Sequence, residues 1–146
     1  MIYHIILRAF AHATEDVFRV QKALKFLVSS TSVLDRELIE ELQSEGHHGN
    51  PITILSLQVK RKADCLSFAS FVREHFLEED VVRLRNEMPE KLDNDQVFHL
   101  RFDKQAAYLQ KVRLTDSSNA ITVKVKIKTY PKSREKAGAI VEEFFG

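Results

Sequence analysis

Three segments of the chain alternate between apolar and polar residues, namely 52–60 in its second half, 96–102 and 120–129. A period of two places alternate side chains on opposite faces of a strand, so that one set packs in a core and the other meets solvent. All three segments are therefore predicted to be strands. Residues 2–12 are apolar on both parities, which predicts a central strand covered at least in part on each face.

Other segments carry apolar residues at helical spacing. Residues 15–28 are predicted to form a helix with Thr14 as its N-cap, and a second helix is predicted to begin at Asp64. The charged stretch that follows the second helix contains Pro89, which stops or kinks a helix, so that one long broken helix or two short ones are expected. Further helix caps are predicted at Asp103 and Ser133.

The segment 37–43 (ELIEELQ) has two interpretations, because its residues favour a helix while its short length and position favour a strand. We favour a strand that pairs with 52–60. Between them lies EGHHGNP, residues 45–51, whose two glycines can adopt a positive φ and whose proline restricts the residue before it. This composition predicts a turn.

Strands occur at the start, middle and end of the sequence, with helices between and after them, and no strict βαβ alternation. The predicted fold class is α+β, a two-layer sandwich in which a mainly antiparallel or mixed sheet of about five strands carries helices on one face. With 146 residues and no linker composition, residues 1–146 are predicted to be one domain. Function is expected on the open face of the sheet.

Composition indicates an ordinary globular protein, with 44% apolar and 29% charged residues. No apolar run approaches the length of a membrane helix, so we expect no membrane partner and a cytoplasmic location. The lone Cys65 lies among apolar residues and is expected to be a buried core residue rather than a reactive thiol.

The sequence offers little chemistry for catalysis. His47 and His48 are adjacent, but neighbouring side chains of an extended chain point to opposite sides and rarely bind one metal ion together. No nucleophile motif and no phosphate-binding loop is present. We therefore expect no enzyme activity, no catalytic residues, no metal and no cofactor.

Positive charge is concentrated in one part of a chain whose total charge is only +1. Between Gln96 and Lys136 ten cations accompany three acids, a local charge of +7. Lys124, Lys126 and Lys128 share one face of a predicted strand, which indicates either a solvated edge that prevents aggregation or a stripe that tracks phosphates. The second interpretation gains support if His99 and Arg101 project to the same side.

Four motifs resemble a known family: HATED at 12–16, EGHHGNPI at 45–52, FHLRFDKQAAY at 98–108 and IKTYP at 127–131. Their order and spacing are similar to those of archaeal proteins described as predicted RNA-binding proteins or predicted exosome subunits. The residues that match the family pattern are His12, Thr14, Glu15, Asp16, Gly46, His47, Gly49, Asn50, Pro51, Arg101, Lys104, Gln105 and Tyr108. One departure is that this chain continues with Leu109-Gln110-Lys111, where the family tends to have a glycine, which puts the geometry of that turn in doubt.

The resemblance implies a fold like that of the ribosomal protein that binds 5S ribosomal RNA, and a non-catalytic role in RNA binding or processing. Its implied partners are RNA and, more weakly, an exosome or other RNA-processing proteins. The alternative is a subunit for protein interaction or assembly, such as a homodimer, with no direct RNA contact. The candidate RNA-binding residues are His47, His48, Asn50, His99, Arg101, Lys104, Lys124, Lys126 and Lys128.

Overall fold

The computed structural model describes residues 1–33, 39–45 and 49–146. Within these residues the strands and helices alternate irregularly along the chain, as the sequence pattern predicts. In chain order the elements are β1 (Ile2–His12), α1 (Val17–Leu27), β2 (Glu40–Glu45), β3 (Pro51–Val59), α2 (Lys62–His75), α3 (Glu78–Lys91), β4 (Val97–Phe102), α4 (Lys104–Tyr108), β5 (Ile121–Ile127) and α5 (Arg134–Phe145).

The strands form one sheet in the order β2-β3-β1-β5-β4, and every pairing is antiparallel. The longest strand, β1, lies at the centre, between β3 and β5. The α+β class with helices on an open five-stranded sheet is thereby confirmed. The strand interpretation of 37–43 is also confirmed over the residues that β2 shares with it, whereas 37 and 38 lie outside the described residues.

The core lies between the sheet and the helices. Residues of one parity in β1, such as Ile5, Leu7 and Ala9, are fully buried, and their neighbours on β3 and β5 are equally enclosed. The prediction that Phe98, Leu100 and Phe102 face inward is confirmed. Each large side chain buried in this way stabilises the fold by roughly 1.5–3 kcal/mol, so that the register of the sheet is fixed by which parity is apolar.

Two predicted helix starts are wrong: α1 begins two residues later than predicted, and the N-cap of α2 is Arg61 and not Asp64. The N-cap of α1 is Asp16 and not Thr14, because the Asp16 carboxylate is the one that accepts the Phe18 backbone N–H, at 2.9 Å. Asp64 lies inside the first turn of α2, where its carboxylate accepts the backbone N–H and hydroxyl of Ser32 at 3.0 and 2.6 Å. At α1 two polar residues could cap the helix and the folded turn selects Asp16, whereas Arg61, the N-cap of α2, makes no side-chain capping hydrogen bond.

The second predicted helix and the charged stretch after it form two separate helices, α2 and α3, and the chain turns between them at Phe76 and Leu77, both in extended conformations. Three acidic residues follow in the first turn of α3, where the positive end of the helix dipole favours them. Pro89 lies near the end of α3 without ending it. The expected caps of α4 and α5 are confirmed, since Asp103 accepts the Ala106 N–H and Ser133 accepts the Lys136 N–H. No helix in the described ranges is both long and apolar enough to cross a bilayer.

Candidate nucleic-acid interface

The face of the sheet opposite the helices is open and carries most of the predicted site residues. Side chains on neighbouring strands lie in rows across this face. One row joins Arg8, Thr122 and Arg101, and the next joins Ile6, Lys124 and His99. The expectation that His99 and Arg101 project to the same side as the lysines of β5 is therefore confirmed. We call the residues Arg8, His99, Arg101, Lys124 and Lys126 the basic face.

On the open side of β1, β4 and β5, all of which are described, every charged side chain is basic. The side chains of Arg8 and Lys124 form no hydrogen bond or ion pair with any described residue, and both residues are exposed. The Lys126 ammonium donates to the Asp95 carbonyl, and Arg101 makes only a 3.5 Å contact with the Ser117 carbonyl. The centre of the basic face thus presents cations that are available to an anionic ligand.

His99 is oriented by a carboxylate. Its Nε2 lies 2.9 Å from Oδ2 of Asp93, whose other oxygen accepts the backbone N–H groups of Asp95 and Val97 at 2.9 Å. Partial burial alone would raise the pKa of Asp93, but these hydrogen bonds, led by that with His99, hold it below its usual range. Asp93 therefore stays ionised and fixes both the turn before β4 and the imidazole.

Lys128 lies beyond the end of β5, so that the predicted stripe of three lysines is two residues on the strand and one past it. Its ammonium is 3.5 Å from the centroid of the exposed Tyr3 ring, a cation–π contact. Beside it, burial and then Lys126, Lys60 and Lys128 lower the pKa of His4, whose buried Nδ1 has no hydrogen-bond partner among the described residues. This end of the face combines several cations with a neutral imidazole.

A cleft of about 500 Å³ lies over the basic face. Its floor is the open side of β1, β5 and β4, and its wall is α3 together with residues 114–116. Two ion pairs hold that wall together: Arg113 Nε is 3.0 Å from Asp80 Oδ2, which is 5% exposed, and Arg83 pairs with Asp116. Arg113 therefore has a structural role, although it is one of the ten cations of the basic segment, residues 96–136.

Parts of three of the four motifs that carry the family resemblance meet at one end of the sheet, whereas IKTYP lies at the other end, beside the start of β1. Lys104 donates to the Glu15 carboxylate and to the Phe10 carbonyl oxygen, both at 2.8 Å, and its side chain is only 10% exposed. Burial alone would raise the pKa of Glu15, but the bond and charge of Lys104, with the His12 N–H, lower it. Lys104 thus links the β1–α1 turn to α4, and little of its side-chain surface is accessible to a ligand.

The turn after α4 keeps its form without the family's glycine. Gln110 adopts φ 64°, the left-handed conformation that a glycine normally supplies at a helix end. The Gln110 and Lys111 N–H groups donate to the Ala107 and Ala106 carbonyls at 3.0 and 2.8 Å, the pattern that closes such an end. Tyr108 faces the Arg19 and Lys22 cations at 5.4 and 5.1 Å from its ring centroid.

The last residue of β2 and the first residues of β3 lie at the same end of the sheet, since Glu45 pairs with Pro51 and His12 with Ile52. Gly49 has φ 74°, as a tight connection requires, and Asn50 is exposed. His47 and His48 lie outside the described residues, together with Gly46. Their part in RNA binding, like that of Asn50, stays a prediction.

The described part of the chain contains neither a cluster of metal-binding side chains nor a reactive cysteine. No three side chains of the metal-binding types lie close enough together there to hold an ion. Burial raises the pKa of the Cys65 thiol to about 11, with Asp64 adding to the shift, and the side chain is fully enclosed. Such a thiol stays protonated and inaccessible.

Sequence reasoning missed two residues of this site, Arg8 and Phe10. Both lie on β1 with their side chains on the open face, in line with Thr122 and Ile54 respectively. The signal was present in the strand itself, because residues 5, 7, 9 and 11 are all apolar while residues 4, 8 and 12 are polar. That parity difference marks which side of β1 is open.

Comparisons with known proteins agree on one family. A family model described as RNA binding matches residues 4–127. The RNA-binding protein PAB1135 of Pyrococcus abyssi is 34% identical over 143 residues, which are 97% of this chain and 92% of that protein. Among solved structures, protein AF2318 from Archaeglobus fulgidus is similar with a TM-score of 0.85 and 30% identity over 99% of each chain.

A DUF54 protein from Methanothermobacter thermautotrophicus is also similar, with a TM-score of 0.81 and 27% identity over 100% of this chain and 99% of that one. The likeness to a 5S-RNA-binding ribosomal protein stays a prediction. The family match begins within β1 and ends with β5, so that it contains the basic face and the family-like pair Glu15 and Lys104. The chain belongs to the family described as RNA binding.

Proposed function

We propose that the chain binds RNA mainly through backbone phosphates, which lie on the basic face. The observation that carries this proposal is the alignment of Arg8, Lys124 and Arg101 across three strands, whose own open sides carry no acidic residue. Cations placed in this way fix the position of a nucleic-acid backbone but read no sequence. The predicted specificity for RNA sequence is accordingly low.

The low total charge of +1 sets the expected strength of binding. A protein with so little net charge has no long-range attraction for polyanions in general, and depends on the local field of the basic face. Binding should therefore be modest in affinity and weaken steeply with added salt.

In the cell we propose a non-catalytic accessory factor for RNA processing or degradation that acts in the cytoplasm. Its proposed partners are RNA and, through the family resemblance, an exosome or other RNA-processing proteins. The printed name of the Pyrococcus relative, an RNA-binding protein, supports the RNA part of this proposal. The enclosed, protonated thiol of Cys65 supports the non-catalytic part.

Charge reversal tests the basic face directly. The double variant Arg8→Glu, Lys124→Glu is expected to lose tenfold or more in affinity for an RNA oligonucleotide in a fluorescence anisotropy titration at low salt. The control is Lys25→Glu, Lys136→Glu, which makes the same change in net charge at two exposed positions on helices of the other layer. If the two double variants bind RNA with equal affinity and both keep the wild-type melting temperature, the basic face does not bind RNA.

One observation favours a second function, docking of a protein or a second copy. Leu42 on β2 is 63% exposed and lies in a row with Ile54, beside the half-buried Ile52. Apolar side chains exposed beside an edge strand are typical of surfaces that bind proteins. If they join two copies, light scattering after size exclusion should show a dimer that Leu42→Ser converts to a monomer. A monomeric wild type at high concentration would exclude the homodimer.

A further inference from the structure

The cleft over the basic face has a composition that phosphate binding alone does not require. Its floor includes the half-buried ring of Phe10 beside Arg8. Its wall includes Glu90 and Lys91 of α3, together with Glu87, whose carboxylate accepts the Arg83 Nε–H at 3.1 Å. Carboxylates repel phosphates, so that a surface built only to hold a backbone would be expected to lack them. The cleft therefore presents three kinds of group, an aromatic ring, cations and hydrogen-bond acceptors.

The arrangement of these groups matches the parts of one nucleotide. The Phe10 ring lies at the end of the floor, one row from Arg8, Thr122 and Arg101, since Phe10 is two residues along β1 from Arg8 on the same face. A base can stack on an aromatic ring while its phosphate meets neighbouring cations. Carboxylates on a facing wall can accept hydrogen bonds from the amino and imino groups at the edge of a base.

The size of the cleft selects among nucleic acids. A volume of about 500 Å³ lies in the range of sites that enclose a small molecule. In a duplex the faces and pairing edges of the bases are already stacked and paired, and only phosphates, sugars and groove edges are offered. An unpaired nucleotide offers a face, an edge and a phosphate together.

We propose that the cleft binds an unpaired nucleotide of single-stranded RNA, with its base stacked on Phe10, its base edge toward the carboxylates of α3, and its phosphate and those of its neighbours along the strand on Arg8, Arg101 and Lys124. This inference rests on the proposed function and deepens it, because it names the class of RNA and adds an aromatic contact. The protein is a binder of single-stranded segments, and duplex RNA meets only the cations.

The position of Phe10 is held from behind. Its carbonyl oxygen accepts the Lys104 ammonium at 2.8 Å, and Lys104 is in turn paired with Glu15. The end of β1 that carries the ring is thus fixed by this family-like pair. A platform that is fixed in advance loses little conformational entropy when a base stacks on it.

Anisotropy titrations with a single-stranded oligonucleotide and with its duplex test this proposal. Phe10→Leu keeps an apolar side chain and removes the ring, Phe10→Tyr keeps the ring, and Ile54→Val is a matched control on β3 that does not line the cleft. Wild type is expected to bind the single strand more tightly than the duplex. Phe10→Leu should lose about tenfold for the single strand, the factor that corresponds to a stacking energy of about 1.4 kcal/mol, and nothing for the duplex.

Phe10→Tyr and Ile54→Val should stay within about twofold of wild type for both probes, a change smaller than loss of one stacked base. The proposal fails if Phe10→Leu binds the single strand as wild type does, if it loses equally for both probes, or if wild type binds the duplex equally well. Should the double variant of Arg8 and Lys124 still lose RNA while Phe10→Leu does not, the proposed function stands and this inference falls. Should neither variant lose RNA, both fall.

Discussion

Replacing Arg8 and Lys124 with glutamine is expected to halve the salt dependence of RNA binding. The basic face offers four permanent cations, which are these two together with Arg101 and Lys126. Each phosphate neutralised on a single strand contributes about 0.7 to the slope of log affinity against log salt, so that four contacts give a slope of about −2.8 and two give about −1.4. Between about 50 and 200 mM salt, wild type should lose about 50-fold in affinity and the variant about 7-fold.

The assay is fluorescence anisotropy with one labelled single-stranded oligonucleotide at four salt concentrations across about that range. The slope, unlike a single affinity, separates lost phosphate contacts from a general loss of fit. The control variant Lys25→Gln, Lys136→Gln removes the same charge from the helical layer and should keep the wild-type slope. A slope for the basic-face variant equal to that of wild type would show that phosphates do not lie on Arg8 and Lys124.

Three further predictions concern the support of this face. Lys104→Met should lower the free energy of unfolding by about 2 kcal/mol in urea titrations, because it removes two hydrogen bonds to a charged, largely buried donor, and should leave the salt slope unchanged. The pKa of Glu15 lies below its ordinary 4.5, so that this stability difference should hold above pH 4.5 and narrow as pH falls through the lowered pKa. In NMR titrations His4 should protonate below 6.5, and bound RNA should raise its pKa by placing phosphate near Lys126; an unchanged pKa would place the RNA elsewhere. Phe102→Ala should destabilise the fold by about 3–5 kcal/mol in the same urea assay, since the ring is fully buried.

The periodicity of the sequence is sufficient to predict the strands and the helices, because each element is buried on one side and its apolar residues recur with the period of that element. In β5, Val123 and Val125 are fully buried while Lys124 between them is exposed, as strict alternation requires. Helix ends are harder to predict, because Thr14 and Asp16 can both cap α1 and only the folded turn selects one. The error at α1 is in the choice of the capping residue within one turn, and the prediction of the helix itself is unaffected.

The candidate site could be predicted only in part, because charge in a sequence does not show which cations are already engaged. The basic segment contains Lys104, Arg113 and Arg134, yet these bind Glu15, Asp80 and the carbonyls at the end of α3 respectively. Arg8 lies far from that segment in sequence and joins the basic face through the pairing of β1 with β5. Sheet order is a non-local property, so that neither fact could be predicted from spacing.

One contact joins the basic face to the motif cluster, by which we mean the family-like residues around Glu15 and Lys104. Lys104 belongs to the motif that resembles the RNA-binding family, and its ammonium is largely buried against the Phe10 carbonyl rather than presented to a ligand. A residue in that position cannot contribute much to counterion release, but it can determine where the strand that carries Arg8 and Phe10 ends. The family-like residues Glu15 and Lys104 are thus better explained as the support that orients the open face than as contacts to RNA, and the residues that we propose to contact RNA are those whose charges the fold leaves unpaired.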